Sequence, residues 1–181
     1  MKLLTIWQHK LNLSLIHGYL TAGVNLSPST SSTPFGGGNL CPWSGSCAPR
    51  CLDKSGRNNM PTHVIARARK SVIWLRHRGA FKLILIPELE AFMRKAEKMG
   101  LIPYIRPNLL SDLFKLWLMI HELQPELKGY DYTKRPMPWE LVSDMYHLTF
   151  SLDTHNVMEA IDAMLHGINV AVPFDPTKPM P

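Results

Sequence analysis

Beyond Gly100 the sequence alternates between strand-like and helix-like patterns, and this alternation constrains the fold more than any other feature. Each predicted strand is a short run rich in aromatic and β-branched residues, followed by apolar residues at helical spacing. Strands are predicted at 101–106, 129–133, 146–151 and 169–174, and helices at 112–123, 138–145 and 156–166. This spacing indicates βαβ units. We therefore predict an α/β fold, either a partial (βα) barrel or an open parallel sheet with flanking helices.

Two helices are predicted before Gly100. The first covers 62–78, with Ile65, Ala68, Val72 and Leu75 facing inward and Gly79 as its C-cap. The second begins at Pro87, because proline is tolerated in a first turn. Between them, 81–86 is an apolar run compatible with strand or helix. Residues 1–22 are ambiguous between helix and strand, although 19–26 has the character of a strand.

Composition limits the class of protein. The chain has 181 residues, of which 45% are hydrophobic and 19% charged, which excludes a disordered chain and predicts a single domain over 1–181. The formal net charge of +6 permits anionic partners. No apolar stretch has the roughly 20 residues needed to span a bilayer, so we expect no membrane association and a cytoplasmic protein.

All three cysteines fall within eleven residues, in a Ser-, Pro- and Gly-rich segment that predicts a loop over 27–60. Three thiolates on one loop suit an iron–sulfur cluster with one iron left open to a small molecule. Zinc completed by His63 and inert reduced thiols are the alternatives. We predict Cys41, Cys47 and Cys51 as metal ligands.

Polar residues follow the predicted strands, where ligands of α/β sheets bind. Because these strand ends share one rim, we expect the residues to form a binding site for a small polar or anionic ligand. A structural role as helix caps is the alternative for Ser111, Asp112, Asp153 and Asn156. The binding candidates are Arg106, Asn108, Ser111, Asp112, Tyr132, Lys134 and Ser151, with Asp175 after the last strand.

A basic stretch runs from Arg67 to Arg78. Such runs are usually solvated helix surfaces, and contact with nucleic acid is the weaker alternative. The sequence contains no recognition-helix motif and no aromatic strand motif typical of RNA-binding domains.

Six sequence blocks together resemble the phage and prophage domain family named after gene product 88, over about 23–174. They are NLCPWSGSCAPRCLDKSGR, Ala66-Arg67, IRPNLLSD, GYDYTKR, YHLTFSLDTHN and GINVAVPF. The resemblance implies a phage or prophage origin, hence the host cytoplasm, and a βα architecture. Family members usually continue with an acidic, glycine-containing segment, so the resemblance implies a C-terminally truncated copy with a proline-rich tail at 175–181.

Two functions are compatible with these features, and a nonfunctional remnant is a third reading. The leading hypothesis is an enzyme similar to radical S-adenosylmethionine enzymes, which combine a three-cysteine loop with a partial βα barrel. The cysteines would hold a [4Fe–4S] cluster, Asp112 would bind an ammonium, and Arg106 or Lys134 would bind a carboxylate or phosphate. The alternative is a zinc-stabilised module that binds nucleic acid or a partner protein.

Overall fold

The computed structural model describes residues 1–6 and 9–173, and in this part of the chain six strands form one sheet. The spatial order of the strands follows the chain, with β1 antiparallel to β2 and all later neighbours parallel. This confirms the predicted α/β class. The strands are β1 (Leu4–Thr5), β2 (Tyr19–Val24), β3 (Ile102–Arg106), β4 (Lys128–Thr133), β5 (Tyr146–Ser151) and β6 (Asn169–Ala171).

Each parallel crossover moves one strand in the same direction across the sheet. Since such crossovers are almost always right-handed, their helices are expected on one face, as in a partial barrel. The burial of side chains along β4 agrees with helices on one face only. Gly129, Asp131 and Thr133 are buried, whereas Lys128 and Tyr132 on the other face are exposed. The helices are α1 (His9–Asn12), α2 (Pro61–Arg76), α3 (Arg78–Lys98), α4 (Phe114–Leu123) and α5 (Val157–Leu165).

We call the face without crossover helices the open face of the sheet. Strand register assigns its side chains from β3 onward, since directly paired residues of parallel strands point to the same side. They are Ile102, Tyr104 and Arg106 on β3, Lys128, Tyr130 and Tyr132 on β4, His147, Thr149 and Ser151 on β5, and Asn169 and Ala171 on β6.

The inward face of helix α2 is rotated relative to the predicted one. Ala68 is buried as predicted, but Ile65 and Leu75 are 38% exposed, whereas Arg67, Ser71 and Trp74 are buried. The Trp74 ring packs edge-to-face on Phe81 of α3, with centroids 5.2 Å apart. The tryptophan is the largest apolar side chain on α2, and burying it sets the rotation of the helix.

Helix α3 runs through the positions predicted as a C-cap and a helix start. Gly79 lies in its first turn and Pro87 in its interior. A proline removes the hydrogen bond to the carbonyl four residues earlier, which is that of Leu83. Leu83 is 72% exposed, so water can solvate this carbonyl. Solvation of the carbonyl lowers the cost of the missing hydrogen bond, and the helix continues through Pro87.

In the C-terminal half, three elements differ from their predictions. The predicted helix 138–145 is only a 3₁₀ turn, Pro138–Leu141. The strand predicted to reach Phe174 ends at Ala171, and Phe174 and Asp175 lie outside the described residues. The spacing predicts an inward face of Val157, Ala160, Ile161 and Met164 for helix α5. Of these only Ala160 is buried, together with Ala163, because only the small alanines approach the sheet.

Gly129 on β4 makes room for two stacked aromatic rings of the core. Trp117 and Tyr146 stack with centroids 4.4 Å apart, and a Cβ at Gly129 would lie 2.6 Å from Cζ3 of Trp117. We expect Gly129→Ala to lower the free energy of unfolding by about 2 kcal/mol, because the core must shift to accept a methyl group. Urea denaturation measures the change. Gly79→Ala is the control, since an added Cβ there meets no described atom within 4 Å, and equal stability of the two variants would contradict the prediction.

Candidate functional site

The cysteine-containing loop lies over the carboxyl ends of β3, β4 and β5 and lines with them an open cavity of about 640 Å³. The sequence-predicted residues come from four separate parts of the chain, and the fold brings them to this one place. All ten line the cavity: Cys41, Cys47, Cys51, Arg106, Asn108, Ser111, Asp112, Tyr132, Lys134 and Ser151. His63, the alternative zinc ligand, is not among the lining residues.

The three thiols are free and close enough to influence each other electrostatically. Burial, with smaller contributions from the charges of Asp112, Cys51 and Cys47, raises the pKa of Cys41 to about 12, although a backbone hydrogen bond from Ser29 lowers it. Burial also raises the pKa of Cys51. The Cys41 thiol donates a hydrogen bond to the carbonyl of Leu110 at 3.3 Å. Without a bound cation, Cys41 and Cys51 are therefore held as neutral thiols.

In the described part of the chain, no group of three or more His, Cys, Asp or Glu side chains has the arrangement of a metal site. The cysteines thus share a cavity without forming a finished coordination shell. Metal ligation by Cys41, Cys47 and Cys51 stays a prediction.

Besides the bond from Cys41 to Leu110, two further hydrogen bonds fasten the cysteine loop to the rim of the sheet. Asp112 donates its backbone N–H to the carbonyl of Leu40 at 2.9 Å. Ser46 donates its hydroxyl to Asp153, whose other carboxylate oxygen lies 3.4 Å from Nζ of Lys134. The Ser46 hydrogen bond is the main reason why the pKa of Asp153 falls to about 2. The loop position is thereby tied to the ends of β3 and β5.

Asp112 and Ser111 do not cap α4, whose N-cap position is Leu113 without a side-chain cap. Asp112 instead accepts hydrogen bonds from Oγ1 of Thr133 at 2.9 Å and from the backbone N–H of Lys134 at 3.1 Å. Burial raises the pKa of Asp112 against these bonds. This carboxylate therefore joins the ends of β3 and β4 within the cavity wall.

The structure adds a buried carboxylate, Asp131, to the residues predicted from the sequence. It is 2% exposed and accepts hydrogen bonds from the backbone and side chain of Asn108 and from the Tyr146 hydroxyl. Nε of Arg106 lies 3.7 Å away. Burial raises the pKa of Asp131 to about 8. The sequence signal that could have identified Asp131 is an acidic residue at an inward-facing position of the predicted strand 129–133.

Arg67 is a second residue with a role different from the predicted one. It was expected on a solvated basic surface, but it is 4% exposed, and burial lowers its pKa against the attraction of Asp53 and Cys51. Nη2 donates to the carbonyl of Asn58 at 2.8 Å, whereas Nε and Nη1 have no hydrogen-bond partner among the described residues. A buried cation therefore lies behind the cysteine loop. In the sequence, Arg67 lies four residues before Ser71 and seven before Trp74. This spacing places all three on one face of a helix and could have indicated that Arg67 is buried.

In the rest of the predicted basic stretch, Arg69 and Arg76 are exposed, as expected for a solvated helix surface, whereas two other cations contact the protein itself. Lys70 is half-buried and donates to the carbonyl of Leu3 at 3.3 Å, and the guanidinium of Arg78 lies 4.2 Å from the Trp74 ring centroid. These side chains are engaged with the protein itself. The geometry thus gives the helix no specific support as a nucleic-acid contact.

Among the described helices, none combines the length and apolar character that crossing a lipid bilayer requires. Comparison with curated proteins and with solved structures finds no match for the chain. A family model does match, that of gene product 88, and the match covers residues 4–180, nearly the whole sequence. The chain therefore belongs to the phage-type gene product 88 family.

Proposed function

We propose that this protein is an iron–sulfur enzyme that binds a [4Fe–4S] cluster through Cys41, Cys47 and Cys51 and a polar ligand at the adjacent strand ends. The observation that carries the proposal is the shared cavity. All the cysteines of the chain and the charged groups after β3 and β4 line the same space of about 640 Å³. A cluster with three protein ligands has one iron available for a small molecule, and when bound it supplies electron transfer to that molecule.

The electrostatics of the loop favour a bound cation. Three neighbouring thiolates repel each other and Asp112, which is part of why the pKa of Cys41 is raised. Iron replaces the thiol protons and removes this repulsion, so ligand deprotonation and metal binding are coupled. The buried Arg67 guanidinium adds positive charge near Cys51. Since the thiols do not form a finished site, we expect the loop to adjust when metal binds.

The strand ends provide groups of both charges for the polar ligand. Asp112 can accept hydrogen bonds from an ammonium group, and Arg106 can donate to a carboxylate or phosphate. Lys134 is already held by Asp153 at 3.4 Å and by the carbonyl of Ser151 at 3.2 Å, so its position is fixed before a ligand binds. This pairing of charges suits a zwitterion such as the amino-acid portion of S-adenosylmethionine.

Anaerobic reconstitution with ferrous iron and sulfide tests the proposal. We expect about four irons and four sulfides per chain, with the broad visible absorbance of an iron–sulfur cluster. Cys47→Ala should lose most of the bound iron and the absorbance, because two cysteines cannot replace a three-thiolate site. Ser55→Ala is the matched control, since this exposed residue lies in the same loop and bonds only to the carbonyl of Leu52 among described groups.

The metal content decides between the candidates. A colourless protein that binds no iron after reconstitution overturns the proposal. Stoichiometric zinc that Cys47→Ala removes, with no iron taken up, would also overturn it and would instead support a zinc-stabilised binding module.

A further inference from the structure

We propose that the open face of the sheet binds single-stranded nucleic acid and delivers it to the cavity, which makes a nucleotide chain the substrate of the enzyme proposed above. The inference rests on that proposed function for the role of the cavity. Its own basis is the row of tyrosines and cations on the open face, which continues into the cavity wall through Arg106, Tyr130 and Tyr132.

Three tyrosine rings lie next to one another across β2, β3 and β4, and a fourth tyrosine lies two residues further along β4. The rings of Tyr19 and Tyr104 are 5.2 Å apart edge-to-face, and those of Tyr104 and Tyr130 are 6.5 Å apart. Tyr132 follows on β4 and is 42% exposed. Aromatic rings on an open sheet are the platforms on which unpaired bases stack.

Tyr132 is the best-formed platform of the row. The guanidinium carbon of Arg106 lies 4.8 Å from the centroid of its ring, so this cation supports the ring while the ring itself stays exposed. The arrangement leaves aromatic surface free to stack on a base, with the Arg106 charge close to where a phosphate would lie.

The charge of the open face favours a polyanion over a peptide. Register places Arg106 and Lys128 on this face and no Asp or Glu from the described residues of β2 to β6. Lys128 and Tyr132 are four residues apart on β4, a distance of roughly 13 Å along a strand. The exposed aliphatic pockets that a peptide partner would need are absent from these described strand positions, where only Ile102 is a large exposed aliphatic residue.

Fluorescence anisotropy with labelled single strands of about ten nucleotides, as DNA and as RNA, tests the inference. We expect single strands of one or both kinds to bind more tightly than the matched duplex. Tyr132→Ala should raise the Kd about 10-fold, since a stacked base is lost, whereas Tyr132→Phe should retain binding. Lys128→Ala should weaken binding and reduce the salt dependence by about one released ion. Phe35→Ala, which removes an exposed aromatic side chain from another part of the surface, is the control.

Several results would overturn the inference: tighter binding of the duplex, no binding of either single strand, or equal affinity of Tyr132→Ala and the unmodified protein. The measurement is made with and without reconstituted iron. Loss of nucleotide binding in a protein with a complete cluster refutes only this inference, and absence of iron in a protein that binds single strands refutes only the proposed cluster.

Discussion

Asn108→Ala is expected to lower the free energy of unfolding by about 3 to 5 kcal/mol, because it leaves several buried polar groups without partners at once. The Asn108 side chain is 3% exposed. Its oxygen accepts from the hydroxyl of Ser111 at 2.8 Å and from the backbone N–H of Leu113 at 3.0 Å, and its amide donates to Asp131 at 2.7 Å. One side chain therefore organises the turn between β3 and α4.

The loss should also reach the cavity, since Ser111 and Asp112 belong to this turn. We expect the variant to retain less iron after reconstitution than the unmodified protein, in addition to its lower urea midpoint. Asn169→Ala removes an exposed asparagine that bonds only to His147 among described side chains, and it serves as the control. A midpoint for Asn108→Ala equal to that of this control would show that the turn does not depend on the Asn108 network.

The second large effect is a pH dependence of stability that Asp131 imposes. Burial raises the pKa of Asp131 from an ordinary 3.8 to about 8, so between these values the folded protein holds a proton that the unfolded chain has lost. The contribution of protonated Asp131 to the free energy of unfolding is therefore fully present below about pH 4 and is lost as the pH rises toward 8. The expected slope is about 1 kcal/mol per pH unit between pH 5 and pH 7.

Asp131→Asn should remove this slope, because an amide does not titrate and its oxygen can still accept the hydrogen bonds of Asn108. Urea denaturation at several pH values measures the slope directly. Asp144→Asn is the control, since Asp144 is exposed and its replacement should leave the slope of the unmodified protein. An unchanged slope in Asp131→Asn would show that Asp131 is ionised in the folded protein at neutral pH.

Elements were predictable where their signal lies within a few neighbouring residues. The strand at 146–151 has the observed bounds, because its alternation of buried and exposed residues is written directly in the sequence. The start of α3 at Arg78 and the inward face of α2 were not predictable in this way. Both depend on how Trp74 meets Phe81, a contact between two helices. Likewise, Pro87 lies inside a helix at a point where Leu83, four residues earlier, is exposed to water.

The candidate site shows the same division. Its residue types were readable from the sequence, because three cysteines on one loop and polar residues after strands have few chemical uses. The sequence determined the α/β class, the membership of the gene product 88 family and the ten candidate residues. Only the tertiary structure decided that Arg67 and Asp131 are buried beside them and that tyrosines from three strands share one open face. Burial and strand register arise from contacts between segments distant in the chain, which no local pattern records.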